Sequence, residues 1–387
     1  MKIGILTQPL HRNYGGILQN WALQHVLLDM GHEPEMIFLC MGSRPKGTLL
    51  AIRCMSFAKC IVKKFLFGCK DVYLDSVFNP QYSPSGPRYA DAGFVRCIRK
   101  TKQLTVDMDI AKYVTKRGYD AFVVGSDQVW REEYSPLITH YFLGFLPEDD
   151  NRIRIAYAAS FGKTKGYISK EYMPYCRKLL HRFNAVSVRE YEGVEVLQKD
   201  FDYEDGVKVL DPTLLLSADE YRKLIKDKDR MHKSKSHIAV YLLNSLKDKD
   251  SIPARVSSRL GIPFKMFSAE YQKGRMLTVS QWIAEFDNAS FVITDSFHGC
   301  VFSILFHRFF MVIANVTRGV GRIVSLLRDC GLENRIVFSF EDFEQRIDEL
   351  ISPIDYTQVE ELLKKKKTES FQFLCKAINN ELHDVDS

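Results

Sequence analysis

Short apolar runs, each closed by small or polar residues, recur along this chain and constrain its fold more than any other feature. They occupy residues 3–6, 36–39, 121–124, 153–158, 185–188 and 207–210, with a helix-length pattern over 16–30 after the first. Strands buried on both faces of a parallel sheet read as continuous Val, Ile and Ala rather than as alternation. A second series follows at 238–243, 263–267, 291–294 and 309–313, beyond a polar, lysine-rich stretch at 223–237 that reads as a connection. The expected fold class is therefore α/β, with two tandem doubly wound, Rossmann-like domains. Their expected bounds are 1–220, with a basic, apolar insertion near 45–105, and 236–350. A helical segment over 351–387 follows and is placed to cross back onto the first domain. A chain of 387 residues exceeds one ordinary core and suits two.

Composition removes several classes of function. The chain is 46% hydrophobic and 26% charged, and no apolar run has the length of a membrane span. Its first residues, MKIGILTQPL, read as a buried strand rather than a secretory signal, so a cytoplasmic protein is expected. The nine cysteines are odd in number and irregularly spaced, without C-x-x-C, which suits reduced thiols. A net charge of +6 fits a protein that handles anions and is too weak to argue for nucleic acid. Residues 49–70 mix bulky apolar side chains with Arg53, Lys59, Lys63, Lys64 and Lys70 and contain no acid. Both a packed helix and a peripheral contact with the inner face of a membrane have this composition.

In open α/β sheets ligands lie beyond the carboxyl ends of the strands, so the residues just after each run carry the functional signal. After the first run stand Asn13, Tyr14, Gly15 and Gly16, opening a helix that includes Gln19. Paired glycines there let backbone N–H groups approach an anion or a sugar hydroxyl, although a tight turn reads the same. After Val124 stand Ser126, Asp127 and Gln128, suited to sugar hydroxyls, with Asp127 a candidate general base or, more simply, a helix cap. Arg189 ends the run at 185–188, where its fork suits a carboxylate or phosphate; an ion pair with Glu190 or Glu192 is the plainer alternative. In TDSFHG, Asp295 to Gly299 reads as a turn before a helix over 300–305, which sets His298 at the cleft. Arg318 and Arg322, four residues apart, would share one side of a helical turn and cradle a phosphate, unless they are simply solvated. No His, Cys or carboxylate spacing calls for a metal.

Taken in order, NYGGILQNWALQ, VVGSDQVW, YAASFG, SVRE, VLDPTLLL and ITDSFHG resemble the polysaccharide pyruvyl transferase family across positions 13 to about 305. The resemblance implies a glycosyltransferase B-type architecture with substrates between the domains. It implies transfer of pyruvate from phosphoenolpyruvate to two hydroxyls of a sugar, in a surface polysaccharide or its lipid-linked precursor. A cyclic ketal forms and phosphate leaves; phosphoenolpyruvate is a co-substrate and no cofactor is needed. By the same resemblance His298 matches the catalytic histidine and Arg189 an arginine holding the donor. Some members carry a donor-gripping arginine where this chain has Ser296, so Arg318 and Arg322 are expected to supply the missing charge. Asn13, Tyr14, Gly15, Gly16, Gln19 and Gln128 are assigned to a glycan or lipid-linked oligosaccharide acceptor. Two rival readings remain: a B-type glycosyltransferase with a nucleotide-sugar donor, and a non-catalytic carbohydrate-binding protein. Burial of residue 298 within the second domain, away from every arginine named, would exclude the catalytic role.

Overall fold

The computed structural model describes residues 1–10, 13–40, 54–55, 57–59, 61–62, 92–230, 236–243, 251–267, 277–314 and 319–381. The strands are β1 Lys2–Leu6, β2 Glu33–Met36, β3 Leu39–Cys40, β4 Leu104–Thr105, β5 Ala121–Val124, β6 Ile153–Ala159, β7 Ala185–Val188, β8 Val207–Lys208, β9 Ile238–Tyr241, β10 Phe264–Phe267, β11 Phe291–Thr294, β12 Phe309–Ile313 and β13 Ile336–Val337. Between and after them run α1 Tyr14–Asp29, α2 Ala92–Cys97, α3 Ile110–Arg117, α4 Met173–Leu180, α5 Tyr191–Phe201, α6 Pro212–Leu215, α7 Ala218–Arg222, α8 Ser251–Leu260, α9 Val279–Asn288, α10 Phe297–Leu305, α11 Gly321–Asp329, α12 Phe340–Leu350 and α13 Tyr356–Asn379.

Two parallel sheets organise these elements. The first has six strands in the order β2-β1-β5-β6-β7-β8, the second five in the order β10-β9-β11-β12-β13. Every pairing is parallel, which aligns the carboxyl ends of each sheet along one edge and requires helical crossovers. β2 departs from the expected run at 36–39: it is Glu-Pro-Glu-Met, an edge strand, where Pro34 removes no necessary ladder bond. The chain then leaves the sheet, and β3 pairs with β4 in a separate two-stranded ladder. Most of the stretch 49–70 lies outside the described residues, and among those described no helix is long and apolar enough to cross a membrane.

The two sheets share one continuous apolar core, in which aromatic rings meet across the seam. Tyr14 on α1 stacks on Trp282 of α9 at 5.4 Å, and Tyr221 of α7 meets Phe302 of α10 edge-on at 4.9 Å. All four side chains are buried. Burial of one such ring contributes about 1.5–3 kcal/mol, so this seam is a load-carrying part of the fold rather than a loose contact between domains. The terminal helix α13 returns to the first sheet, packing on β6 and α6. There the Leu210 N–H donates to Ser370 Oγ at 2.9 Å, and Tyr157 meets Phe373 at 6.4 Å.

Candidate functional site

Where the carboxyl ends of both sheets meet, the chain buries a cluster of charged side chains. Asp211 lies at its centre. It follows β8 and caps α6, its Oδ1 accepting from Thr213 N at 3.0 Å and Thr213 Oγ1 at 2.6 Å. Its Oδ2 accepts from Ser126 Oγ at 2.9 Å and Arg189 Nη1 at 2.8 Å. Burial opposes the charge on this carboxylate. His298, Arg189 and Thr213 outweigh burial and hold it well below the usual carboxylate range.

Arg189, at the end of β7, is also fully enclosed. Besides Asp211 it donates through Nη2 to Asp127 Oδ1 at 3.3 Å, and its guanidinium lies over the Phe297 ring at 4.4 Å. Burial disfavours its charge, but Asp211, Asp127 and Glu190 prevail and raise its pKa. Arg189 thus bridges two aspartates, rather than the Glu190 or Glu192 of the plainer alternative. Glu190 turns away: its Oε1 accepts from Ser160 Oγ at 2.8 Å and Phe161 N at 3.2 Å, and burial raises its pKa against Arg189 and Arg322. Asp127 has a left-handed backbone, φ 74°, which a short polar residue tolerates. Its Oδ2 lies 3.3 Å from where a Cβ on Gly16 would stand, so the carboxylate rests on the first turn of α1, where the helix dipole favours it.

His298 enters this cluster from the second domain. The helix expected from residue 300 starts at Phe297, because Ser296 Oγ accepts from Gly299 N at 3.3 Å and caps α10. Ser296, assigned to the donor, is therefore a helix cap, and His298 sits in the first turn rather than in a loop. Its Nε2 lies 3.8 Å from Asp211 Oδ1, beyond a hydrogen bond but within reach of the charge. The other side of the ring lies against Gly15: a Cβ there would stand 2.0 Å from Nδ1. Although only 6% exposed, His298 lies at the domain boundary with Phe297 and Arg189, not walled off within its own domain.

The remaining assigned residues separate into two groups. Arg322 opens α11 and reaches the cluster: burial pushes its pKa down to about 10, Arg189 pushes the same way, and Asp127 and Glu190 oppose. Gln128 accepts from Arg131 Nη1 at 3.1 Å, and Asn13 stands exposed ahead of α1. Tyr14 and Gln19 are structural. The Tyr14 hydroxyl donates to Leu277 O at 2.6 Å across the domain seam, and Gln19 Nε2 donates to Thr7 Oγ1 at 2.9 Å beneath the cluster. Arg318 lies outside the described residues. Asp211 was missed as a site residue; an aspartate just after a parallel strand, followed by Pro and Thr, was the available signal.

Two parallel sheets with a histidine, carboxylates and arginines gathered between their carboxyl ends define a two-domain α/β protein of glycosyltransferase B-type architecture. Residues 13–316 match the family described as Polysaccharide pyruvyl transferase, and the chain belongs to that family. No match was found among curated proteins. Among solved structures, one from Listeria monocytogenes described as a UDP-N-acetylglucosamine 2-epimerase aligns over 100% of this chain and 98% of its own, with TM-score 0.55 and 8% identity. The UDP-N-acetylglucosamine 2-epimerase from Rickettsia bellii aligns over 98% and 97%, with TM-score 0.50 and 10% identity. Identities this low speak for the fold alone.

Proposed function

We propose that this transferase moves pyruvate from phosphoenolpyruvate onto two hydroxyls of one sugar, in a surface polysaccharide or its lipid-linked precursor, as a cyclic ketal. The observation that carries the proposal is the position of His298, beside Asp211 and Arg189 where the two sheets converge. Phosphoenolpyruvate is an enol ester of phosphate. Adding a proton to its methylene carbon leaves an oxocarbenium-like centre at the next carbon, and an imidazolium is a suitable donor near neutral pH. His298 gives that proton. A sugar hydroxyl attacks, losing its proton to Asp127. The phosphate then departs with its bonding electrons and the proton held by Asp127, and the second hydroxyl adds to the same carbon, its proton returning to His298. One phosphoenolpyruvate and two hydroxyls thus yield one ketal and one phosphate.

Arg322 supplies positive charge for the donor and the leaving phosphate. For Arg189 to take a donor oxygen, its longer contact, 3.3 Å to Asp127, must be given up, which also releases Asp127 to act as base. Since His298 is 6% exposed, the site opens at its rim to admit substrates and closes for the chemistry, with the ring seam kept packed. Asn13 and Gln128, on the first domain, would hold the acceptor.

The test is incubation with phosphoenolpyruvate and lipid-linked or model glycosides, following phosphate release and the mass gain of one pyruvate ketal on the glycoside. His298→Ala should lose about two to four orders of magnitude in rate with the fold retained. Near-parental turnover in that variant, or nucleotide release from a sugar nucleotide with phosphoenolpyruvate inert, would overturn the proposal.

A further inference from the structure

We infer that Asp211 is a positioning residue for His298: a first-domain carboxylate that receives the Nε2 edge of a second-domain imidazole and so sets the ring's tautomer and orientation. Three observations lead to it. First, Asp211 cannot turn. Four donors hold its two oxygens, from Thr213, Ser126 and Arg189, and its side chain is fully buried. Second, among the described residues His298 Nε2 is buried without a hydrogen-bond partner, and Asp211 Oδ1 stands 3.8 Å away. A buried ring nitrogen left so is costly, and a small advance of the second domain converts the gap into a hydrogen bond. Third, the opposite edge of the ring is seated against Gly15, where a Cβ would stand 2.0 Å from Nδ1, so the imidazole is located from both sides. An imidazole with one nitrogen on a carboxylate has its tautomer and orientation set.

The pair also reports closure. Asp211 and Gly15 belong to the first domain and His298 to the second, so the ring is held on both sides only while the domains are together. Proton delivery is thereby tied to the closed form.

Two measurements on the full chain test this, and they fail separately. The first does not depend on the reaction proposed above. Histidine-selective 15N NMR, with the His298 signals identified by their loss in His298→Gln, reads which ring nitrogen carries the proton. In the parent Nε2 carries it; Asp211→Asn shifts the proton population toward Nδ1. Asp211→Glu, which keeps the charge and moves the carboxylate off Nε2, shifts it the same way by less and serves if Asp211→Asn does not fold. An unchanged signature in the folded variants would falsify the inference, whatever the donor.

The second measurement rests on phosphoenolpyruvate being the donor. Asp211→Asn should lower kcat about 10²-fold, short of the ~10⁴ seen where such a carboxylate bonds the imidazole directly. KM for phosphoenolpyruvate should change less than about threefold, because a positioning loss falls on the transition state. In a His298→Gln background the same substitution should have no further effect. Equal losses in both backgrounds would mean that Asp211 acts only through the fold or through Arg189, and the inference would be wrong.

Discussion

A single methyl group separates glycine from alanine, and at residue 15 there is no room for it. The added carbon would stand 2.0 Å from His298 Nδ1 and 2.3 Å from its Cγ, so the imidazole or the whole second domain must give way. At Gly16 the nearest atoms are Asn13 Nδ2 at 3.2 Å and Asp127 Oδ2 at 3.3 Å, which shift by a few tenths of an ångström. Gly15→Ala should therefore cost about 10²-fold in turnover, the scale of a 1 Å misplacement, while Gly16→Ala should cost far less. Steady-state rates of the two variants, compared at matched folding, check this; equal losses would deny that Gly15 makes room for the ring. The sequence marks the glycine pair, as a tight turn or as room for an anion or a sugar hydroxyl. At Gly15 the structure shows residue 298 in that space, and no local pattern announces a partner so remote. Asp211 was hidden for the same reason. Its N-cap role is legible in Asp-Pro-Thr, whereas Ser126 and Arg189, which make it the hub, are joined to it only by the strand order.

At the scale of elements, burial on both faces is what makes a strand readable. β5, β7, β11 and β12 coincide with the apolar runs at 121–124, 185–188, 291–294 and 309–313, and none of them is an edge strand. The two-residue strands β4 and β13 are too short to carry a pattern, and the edge strand β2 is half polar. The short 3₁₀ turn Ile138–Phe142 went unread, and it carries a titratable liability. Burial pushes the His140 pKa down to about 4, and its Nδ1 is buried without a partner among the described residues. As pH falls below the ordinary histidine value near 6.5, the unfolded chain binds a proton here that the folded chain refuses. Stability then declines with acidification until about pH 4, where the folded ring protonates too. His140→Phe keeps the ring packing against Phe145, which lies 5.6 Å away, and removes the titration. Its urea midpoint should fall less between pH 7 and pH 5 than the parent's. Parallel declines would assign the acid sensitivity to other groups.

For the whole molecule, the question is what keeps two sheets in register when the site between them has to open. The ring seam of Tyr14, Trp282, Tyr221 and Phe302 answers on one side, and α13 on the other. That helix begins in second-domain territory, where the Tyr356 hydroxyl donates to Ser303 O at 3.3 Å, and ends against the first sheet at Ser370 and Phe373. Leu374, Ala377 and Ile378 are buried on its inner face, while Lys364 and Lys365 are exposed. A brace that spans both domains couples their stabilities, so weakening it should be felt by the molecule as one unit and not by one sheet. Leu374→Ala removes a fully buried side chain from the helix–sheet contact and should cost about 2–5 kcal/mol. If α13 couples the domains, calorimetry of this variant shows a single transition moved to lower temperature. If it merely covers the first sheet, the trace splits in two, with the second domain melting where it does in the parent. The same variant separates bracing from catalysis: turnover well below its melting range should stay within about twofold of the parent's, since the site residues keep their positions while the chain is folded.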